Sequence, residues 1–253
     1  MIDSHCHLTD PRLQQQLPSV LARAAANGVD RVVTIGTDLE DDAACIKLCR
    51  DYPNVRCVIG VHPNYCAGVS IEQLDELRGL QADASVVALG EMGLDYFHNN
   101  APREHQKKIF ERELSIAAEF DRPVVIHSRE AIDDTLAVIK DFPAIRAVFH
   151  CFTGTPAEAE KIVSAGYLVG FTGAVTYKKN DALRTACSLV PLARLLVETD
   201  GPYMSPEPMR SQKINEPALV VHVARVVATV KGAPYPEIDR ITAANTKRFY
   251  NWP

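Results

Sequence analysis

The chain has 253 residues, 47% of them apolar, and a formal charge of −5, with a sequence pI near 5.9. That length and apolar share suit one large folded domain and exclude a disordered chain. The mild acidity excludes a protein that coats nucleic acid by charge alone, yet two bound divalent cations would bring the total to about −1 and leave room for an enzyme that touches a few phosphates.

The opening residues, MIDSHCHLTD, show neither the basic nor the apolar region of a secretory leader, and no apolar run approaches the roughly 18 residues that cross a bilayer. Seven cysteines without a CxxC pair predict reduced thiols in a cytoplasmic compartment. Cys45 and Cys49, four apart on a predicted helix, read as small core residues.

In chain order, eight apolar runs read as strands, at 1–3, 31–35, 55–61, 86–90, 123–126, 145–149, 167–171 and 195–198. They are short, β-branched and apolar throughout, as parallel strands covered by helices are. Between them lie stretches with helical spacing. The clearest spans 103–121, where Ile109, Leu114, Ile116, Ala117 and Phe120 mark one face. On that helix Arg103, Lys107, Lys108 and Arg112 alternate with Glu104, Glu111 and Glu113, which reads as a solvated face laced by i,i+4 pairs. Thr155-Pro156-Ala157-Glu158 carries a capping box and Gly166 a helix stop. Two further helices follow a proline-rich loop, 202–217. Eight strand–helix alternations predict a (β/α)8 TIM-type barrel in a single domain, 1–253. No glycine-rich phosphate loop follows the first strand, which disfavours a doubly wound sheet.

The residues that end these strands carry the chemistry. His5 and His7 flank Cys6, and strand alternation points both imidazoles to one side. Glu91 closes the fourth run, where a carboxylate has no packing purpose. His127 closes the fifth, His150 the sixth, and Glu198-Thr199-Asp200 follows the eighth. Four imidazoles and two carboxylates at one rim predict a metal site. His62, after the third run, is placed to meet a phosphate oxygen or a leaving group. Arg129 is placed to pair with a phosphate, or instead with Glu91 or Glu198, and Tyr96 to stack on a base. Thr153 precedes a helix N-terminus that could offer backbone N–H groups to phosphate, Lys178 and Lys179 could reach a nucleic-acid backbone, and Glu198 reads as a support for a ligand histidine. His98, His105 and His222 read as ordinary histidines.

The ordered motifs DSHCHL, GEMGLDY, PVVIHSR, FHCFTG and ETDGPY resemble those of the TatD-type metal-dependent deoxyribonucleases of the amidohydrolase superfamily, from Asp3 to about Tyr250. The resemblance implies a distorted TIM barrel and two divalent cations, Zn, Mg or Mn. It places His5, His7 and Asp200 on one cation, His127 and His150 on the other, and Glu91 between them. It implies hydrolysis of DNA phosphodiester bonds by a metal-activated water, as an exonuclease on single strands or 3′ ends. By their positions at the strand ends Asp200, Glu91 and His62 form the expected catalytic set, and the absence of a long apolar run predicts no membrane partner. Two departures fall near the substrate: Gly201 stands where members usually have serine or alanine, and the loop 209–217 keeps Arg210 and Asn215-Glu216-Pro217 but lacks the frequent Arg-Gly pair. Two other readings remain open. One is a metallohydrolase of the same barrel acting on an amide, lactone or small phosphoester, many of which bridge their metals with a carboxylated lysine at the position of Glu91. The other is a catalytically silent nucleic-acid-binding protein.

Overall fold

The structure is a computed structural model that describes residues 1–98 and 100–253. Its elements are β1 (Ile2–Cys6), α1 (Pro11–Gln14), α2 (Leu17–Ala26), β2 (Arg31–Ile35), α3 (Leu39–Asp51), β3 (Val55–Ile59), α4 (Glu76–Leu80), β4 (Val86–Asp95), α5 (Arg103–Glu119), β5 (Val124–Arg129), α6 (Ile132–Ile139), β6 (Ala147–Phe149), α7 (Pro156–Ser164), β7 (Leu168–Phe171), α8 (Asp181–Leu189), β8 (Leu195–Val197), α9 (Val220–Lys231) and α10 (Tyr235–Phe249). The strands form one parallel sheet in the order β1 to β8, the (β/α)8 barrel architecture that the alternation predicts. Among the described residues, no helix is long and apolar enough to cross a membrane.

Two compact units make up the chain, residues 1–34 with 151–253 and residues 35–150. In the first, β8 runs beside both β7 and β1. Asp200 N donates to His5 O at 3.0 Å and His7 N to Gly201 O at 2.7 Å, so the ladder continues past the strand ends and carries the site residues with it. The carboxyl of Asp3, fully buried, accepts Thr199 N at 2.8 Å and Thr199 Oγ1 at 2.5 Å. Burial drives that carboxyl up to about 8 despite these bonds. Asn215 donates from Nδ2 to Thr199 O at 2.8 Å and Tyr203 O at 2.6 Å. The Asn-Glu-Pro of the 209–217 loop therefore holds backbone, and Glu216 is forked by Arg23 at 2.7 and 2.6 Å. Gly201 lies in contact with the first strand: a Cβ there would sit 3.0 Å from Cys6 Sγ and 3.2 Å from Asn215 O, so serine or alanine would require those neighbours to shift.

In the second unit β4 is ten residues long and buried throughout, twice the apolar run visible in the sequence. Its register pairs Gly93 with His127 and Asp95 with Arg129 of β5. Gly93 has φ of 139°, and a Cβ on it would lie 2.0 Å from His127 O, so only glycine allows this approach. The face predicted for α5 is buried at Ile109, Leu114, Ile116 and Ala117, with Phe120 half-buried. Thr155 and Glu158 complete the expected capping box, and Cys45 and Cys49 are buried.

The charge reading of α5 needs a correction, because Glu113 is fully buried. Its Oε1 accepts Val61 N at 2.7 Å, while Arg112 pairs with Asp75 and Lys107 with Asp134, on other elements. Alternating charges look alike on a solvated helix and on one whose single acid turns inward to hold a backbone amide. Asp42 of α3 does the same for the preceding residue, accepting Gly60 N at 3.0 Å. Two buried acids thus grip consecutive amides just ahead of His62.

Burial pushes both carboxyls well above the ordinary range. Asp42 is raised further by Asp41, Glu113 and Cys57. Because the unfolded chain ionises these groups near pH 4 and the folded chain keeps their protons, stability falls as pH rises above about 4, until the folded value is passed, by about 1.4 kcal/mol per pH unit per group. Replacing Glu113 by Gln keeps the acceptor and removes the titration. Urea unfolding at pH 5, 6 and 7 should therefore show the variant gaining on the native protein by about that amount per unit. A stability difference that ignores pH would mean that Glu113 is ionised in the fold.

Candidate metal centre

In the unit of residues 1–34 and 151–253, His5 Nε2 and His7 Nε2 face each other at 3.4 Å. Asp200 Oδ1 lies 3.6 Å from the first and 3.5 Å from the second. The ladder between β1 and β2 is irregular between Asp3 and Cys6, and the two imidazoles point to one side of it while Cys6 turns to Gly201, Sγ to O at 3.5 Å. Asp200 adopts φ of 55°. This left-handed conformation costs a non-glycine residue about 1 kcal/mol or more and gathers at functional positions. Two imidazole nitrogens and one carboxylate oxygen within 4.8 Å of one another, buried and convergent, form a donor set that fits a divalent cation.

In the unit of residues 35–150, three imidazoles surround one carboxylate oxygen. Glu91 Oε1 lies 2.6 Å from His150 Nε2, 2.9 Å from His127 Nδ1 and 3.3 Å from His62 Nε2, with Glu91 only 2% exposed. Burial alone would raise this carboxyl; electrostatic attraction to the His150 and His62 rings and hydrogen bonds from His127 and His150 bring it well below the usual range instead. A carboxylate kept ionised in a buried site must be matched by positive charge, from a proton shared among the imidazoles or from a cation. The donor atoms that gather within 4.8 Å of one another here are those of Glu91, His127 and His62, with His150 on the same carboxylate oxygen, and imidazole with carboxylate suits the second.

His62 plays a different part. Asn64 N donates to its Nδ1 at 2.9 Å, and burial holds the ring below its ordinary pKa, although Glu91 pulls the other way. The neutral ring then carries its proton on Nε2, the nitrogen facing Glu91 and His127. His62 presents an N–H to the cluster, not a lone pair.

Asp95 is a participant that sequence reasoning missed. Fully buried, it accepts His127 Nε2 at 3.0 Å and Asn64 Nδ2 at 3.0 Å through Oδ2, and the amides of Phe97 and His98 at 3.0 and 2.9 Å through Oδ1. His98, expected to be ordinary, adds Nδ1 to Oδ2 at 2.8 Å. Burial would raise Asp95 too, and these bonds lower it strongly, while His127 is raised to about 9 against its own burial by Asp95 and Glu91. The missed signal was strand period: Glu91, Gly93 and Asp95 share one face of a strand whose apolar run stops at Gly90.

The remaining candidates sit as follows. The Arg129 guanidinium lies 5.1 Å over the Phe97 ring. Tyr96 is half-buried, donates its hydroxyl to Asp134 Oδ2 at 2.7 Å and is covered by Arg103 at 4.0 Å. Thr153, Lys178 and Lys179 are exposed. Arg210, also exposed, stacks 4.0 Å over Tyr177. Glu198 accepts Cys151 N at 2.6 Å and Ser4 Oγ at 3.2 Å, so its visible work is to hold the residue after His150. His105 binds Cys66 O through Nε2 at 2.9 Å.

Comparison with known proteins agrees with this chemistry. Residues 2–251 match the family described as TatD related DNase. The uncharacterized metal-dependent hydrolase YcfH of Escherichia coli is 37% identical, over 99% of this chain and 96% of that protein. A protein of Erwinia tasmaniensis named 3′-5′ ssDNA/RNA exonuclease TatD is 34% identical, over 99% of this chain and all of its own. The crystal structure of YjjV, a TatD homolog from Escherichia coli, superposes with a TM-score of 0.93 at 33% identity, covering 100% of this chain and 98% of that one.

Replacing Asp95 by Asn should loosen His127 and weaken metal binding at its cluster about 10- to 100-fold. Chelator competition should then resolve one weakened site and one unchanged. Equal affinity in both proteins would show that Asp95 leaves His127's ligand nitrogen untouched.

Proposed function

The chain is a metal-dependent hydrolase that belongs to the TatD related DNase family, and from that premise we propose that it cleaves phosphodiester bonds of DNA, acting as an exonuclease on single-stranded 3′ ends. One observation carries the reading: buried imidazoles and carboxylates from separate strand ends converge in two clusters, His5–His7–Asp200 and Glu91–His127–His150. Each is assigned one divalent cation, Zn, Mg or Mn. Bound there, such ions activate water and polarise a phosphoryl oxygen.

The protein's own groups supply the rest. Asp200, 9% exposed, is open enough to meet a water and takes its proton on a carboxylate oxygen as attack begins. The proton on His62 Nε2 donates to a non-bridging phosphate oxygen or to the departing oxygen. Glu91 keeps its charge at the cluster that His127 and His150 complete. Arg129, Arg210 and the backbone near Thr153 are assigned to phosphates farther along the strand. Tyr96 is assigned to substrate contact, its ring held in place by Arg103 and Asp134.

The carboxylate of Glu91 stands where many amide and lactone hydrolases of the same barrel carry a carboxylated lysine, which favours the phosphodiester. Replacing Asp200 by Asn should preserve the fold and lower turnover of a labelled single-stranded oligonucleotide by at least ~100-fold, and chelation should abolish it. The native protein, loaded with Mg²⁺, Mn²⁺ or Zn²⁺, would be assayed beside a panel of amides and lactones. Turnover confined to that panel would replace the nuclease reading with the amide or lactone one, and DNA binding that survives chelation without cleavage would favour a silent binder.

A further inference from the structure

Five large hydrophobic side chains stand exposed among the described residues: Tyr65, Phe97, Leu189, Tyr203 and Ile214. Single exposed apolar side chains are ordinary. Their placement here is not, because the three aromatic ones follow site residues by no more than three positions: Tyr65 after His62, Phe97 after Asp95, Tyr203 after Asp200. The backbone amide of each is also held by the residue it follows. Tyr65 N donates to His62 O at 2.8 Å and Tyr203 N to Asp200 O at 2.9 Å, and Phe97 N donates to Asp95 Oδ1 at 3.0 Å.

We propose that Tyr203 and Phe97, one in each unit and each paired with an arginine, are nucleobase-stacking platforms through which the enzyme takes single-stranded nucleic acid. The inference rests on the phosphodiesterase reading and names how that substrate is held. Tyr203 has 48% of its surface exposed, its ring meets that of His7 edge-on with centroids 6.2 Å apart, and Arg12 lies 4.6 Å over it. Arg12 is itself clamped by both oxygens of Asp10 at 2.9 and 2.7 Å, so the ring is a braced surface beside a metal ligand. Phe97, 55% exposed, has Arg129 over its ring, and Tyr65 stands 5.8 Å from the ring of His62.

The substrate class follows from the chemistry of the surface. An aromatic face accepts any base, because every base has a π-face, and it accepts only bases that are not already stacked in a duplex. The neighbouring guanidinium adds cation–π attraction to the ring and a charge for the adjoining phosphate. A chain with a formal charge of −5 has little general electrostatic pull on DNA, so contact through base faces supplies affinity that salt does not screen.

The test compares two ligands of the metal-loaded protein by calorimetry: deoxyadenosine 5′-monophosphate and deoxyribose 5-phosphate, which lacks the base. The native protein should bind the first about tenfold more tightly. Tyr203→Ala should bring the two to equal affinity with metal content and melting temperature unchanged, while Tyr203→Trp keeps the preference. Phe97→Ala should weaken binding of a single-stranded oligonucleotide by a similar factor, and unchanged affinity would remove Phe97 from the proposal. No preference in the native protein, or one that survives Tyr203→Ala, overturns the platform. The binding measurement needs no turnover, so the two ideas fail separately. A base preference in a protein that leaves oligonucleotides intact would sink the nuclease reading alone, and cleavage without base preference would sink only the platform.

Discussion

The ionised carboxylate of Glu91, 2% exposed, sets the terms for everything around it. A charge in that position costs several kcal/mol unless positive charge meets it directly. Three imidazole nitrogens gather within 3.3 Å of it, those of His127 and His150 placed to share such a charge or a cation and that of the neutral His62 to donate a hydrogen bond. Each must be delivered by a different strand end, since no local stretch of chain can bring three rings to one oxygen. The long β4, the close approach at Gly93 and the two gripped amides ahead of His62 serve that requirement. His5, His7 and Asp200 repeat the arrangement with one ring fewer, two rings to one carboxylate.

Behind these clusters stands a set of buried acids that accept hydrogen bonds from backbone amides, neutral side chains or ring nitrogens. Asp3 holds Thr199, Asp42 and Glu113 hold Gly60 and Val61, and Asp95 holds the far nitrogen of His127. They divide by charge state. Asp3, Asp42 and Glu113 are pushed up by burial, with only amides or hydroxyls to accept from. Asp95 stays ionised because imidazoles surround it. The first kind fixes chain geometry, and the second also sets the orientation and electron density of an imidazole in the cluster.

Exposed aromatic rings complete the arrangement on the solvent side. The residues that hold the amides of Tyr65, Phe97 and Tyr203 are His62, Asp95 and Asp200, so each short loop carries both a residue of the proposed site or its support and an exposed ring. Tyr96, braced by Asp134 and Arg103, is the less accessible neighbour of the exposed Phe97.

Much of this was legible in the chain itself. The eight strands announce themselves because buried parallel strands must be apolar on both faces, and that is a local property of five or six residues. Helix caps such as Thr155–Glu158 are local too, as is the position of a histidine or acid at the end of an apolar run, which marked His5, His7, Glu91, His127, His150 and Asp200. The tertiary structure alone decided which polar residues turn inward. Glu113 carries the same sequence signal as its solvated neighbours, and Asp95 lies beyond the last apolar residue of its strand. Asp42 sits in an acidic first helical turn that looks exposed. Their burial depends on amides and rings contributed from distant parts of the chain, and sequence spacing carries no record of those partners.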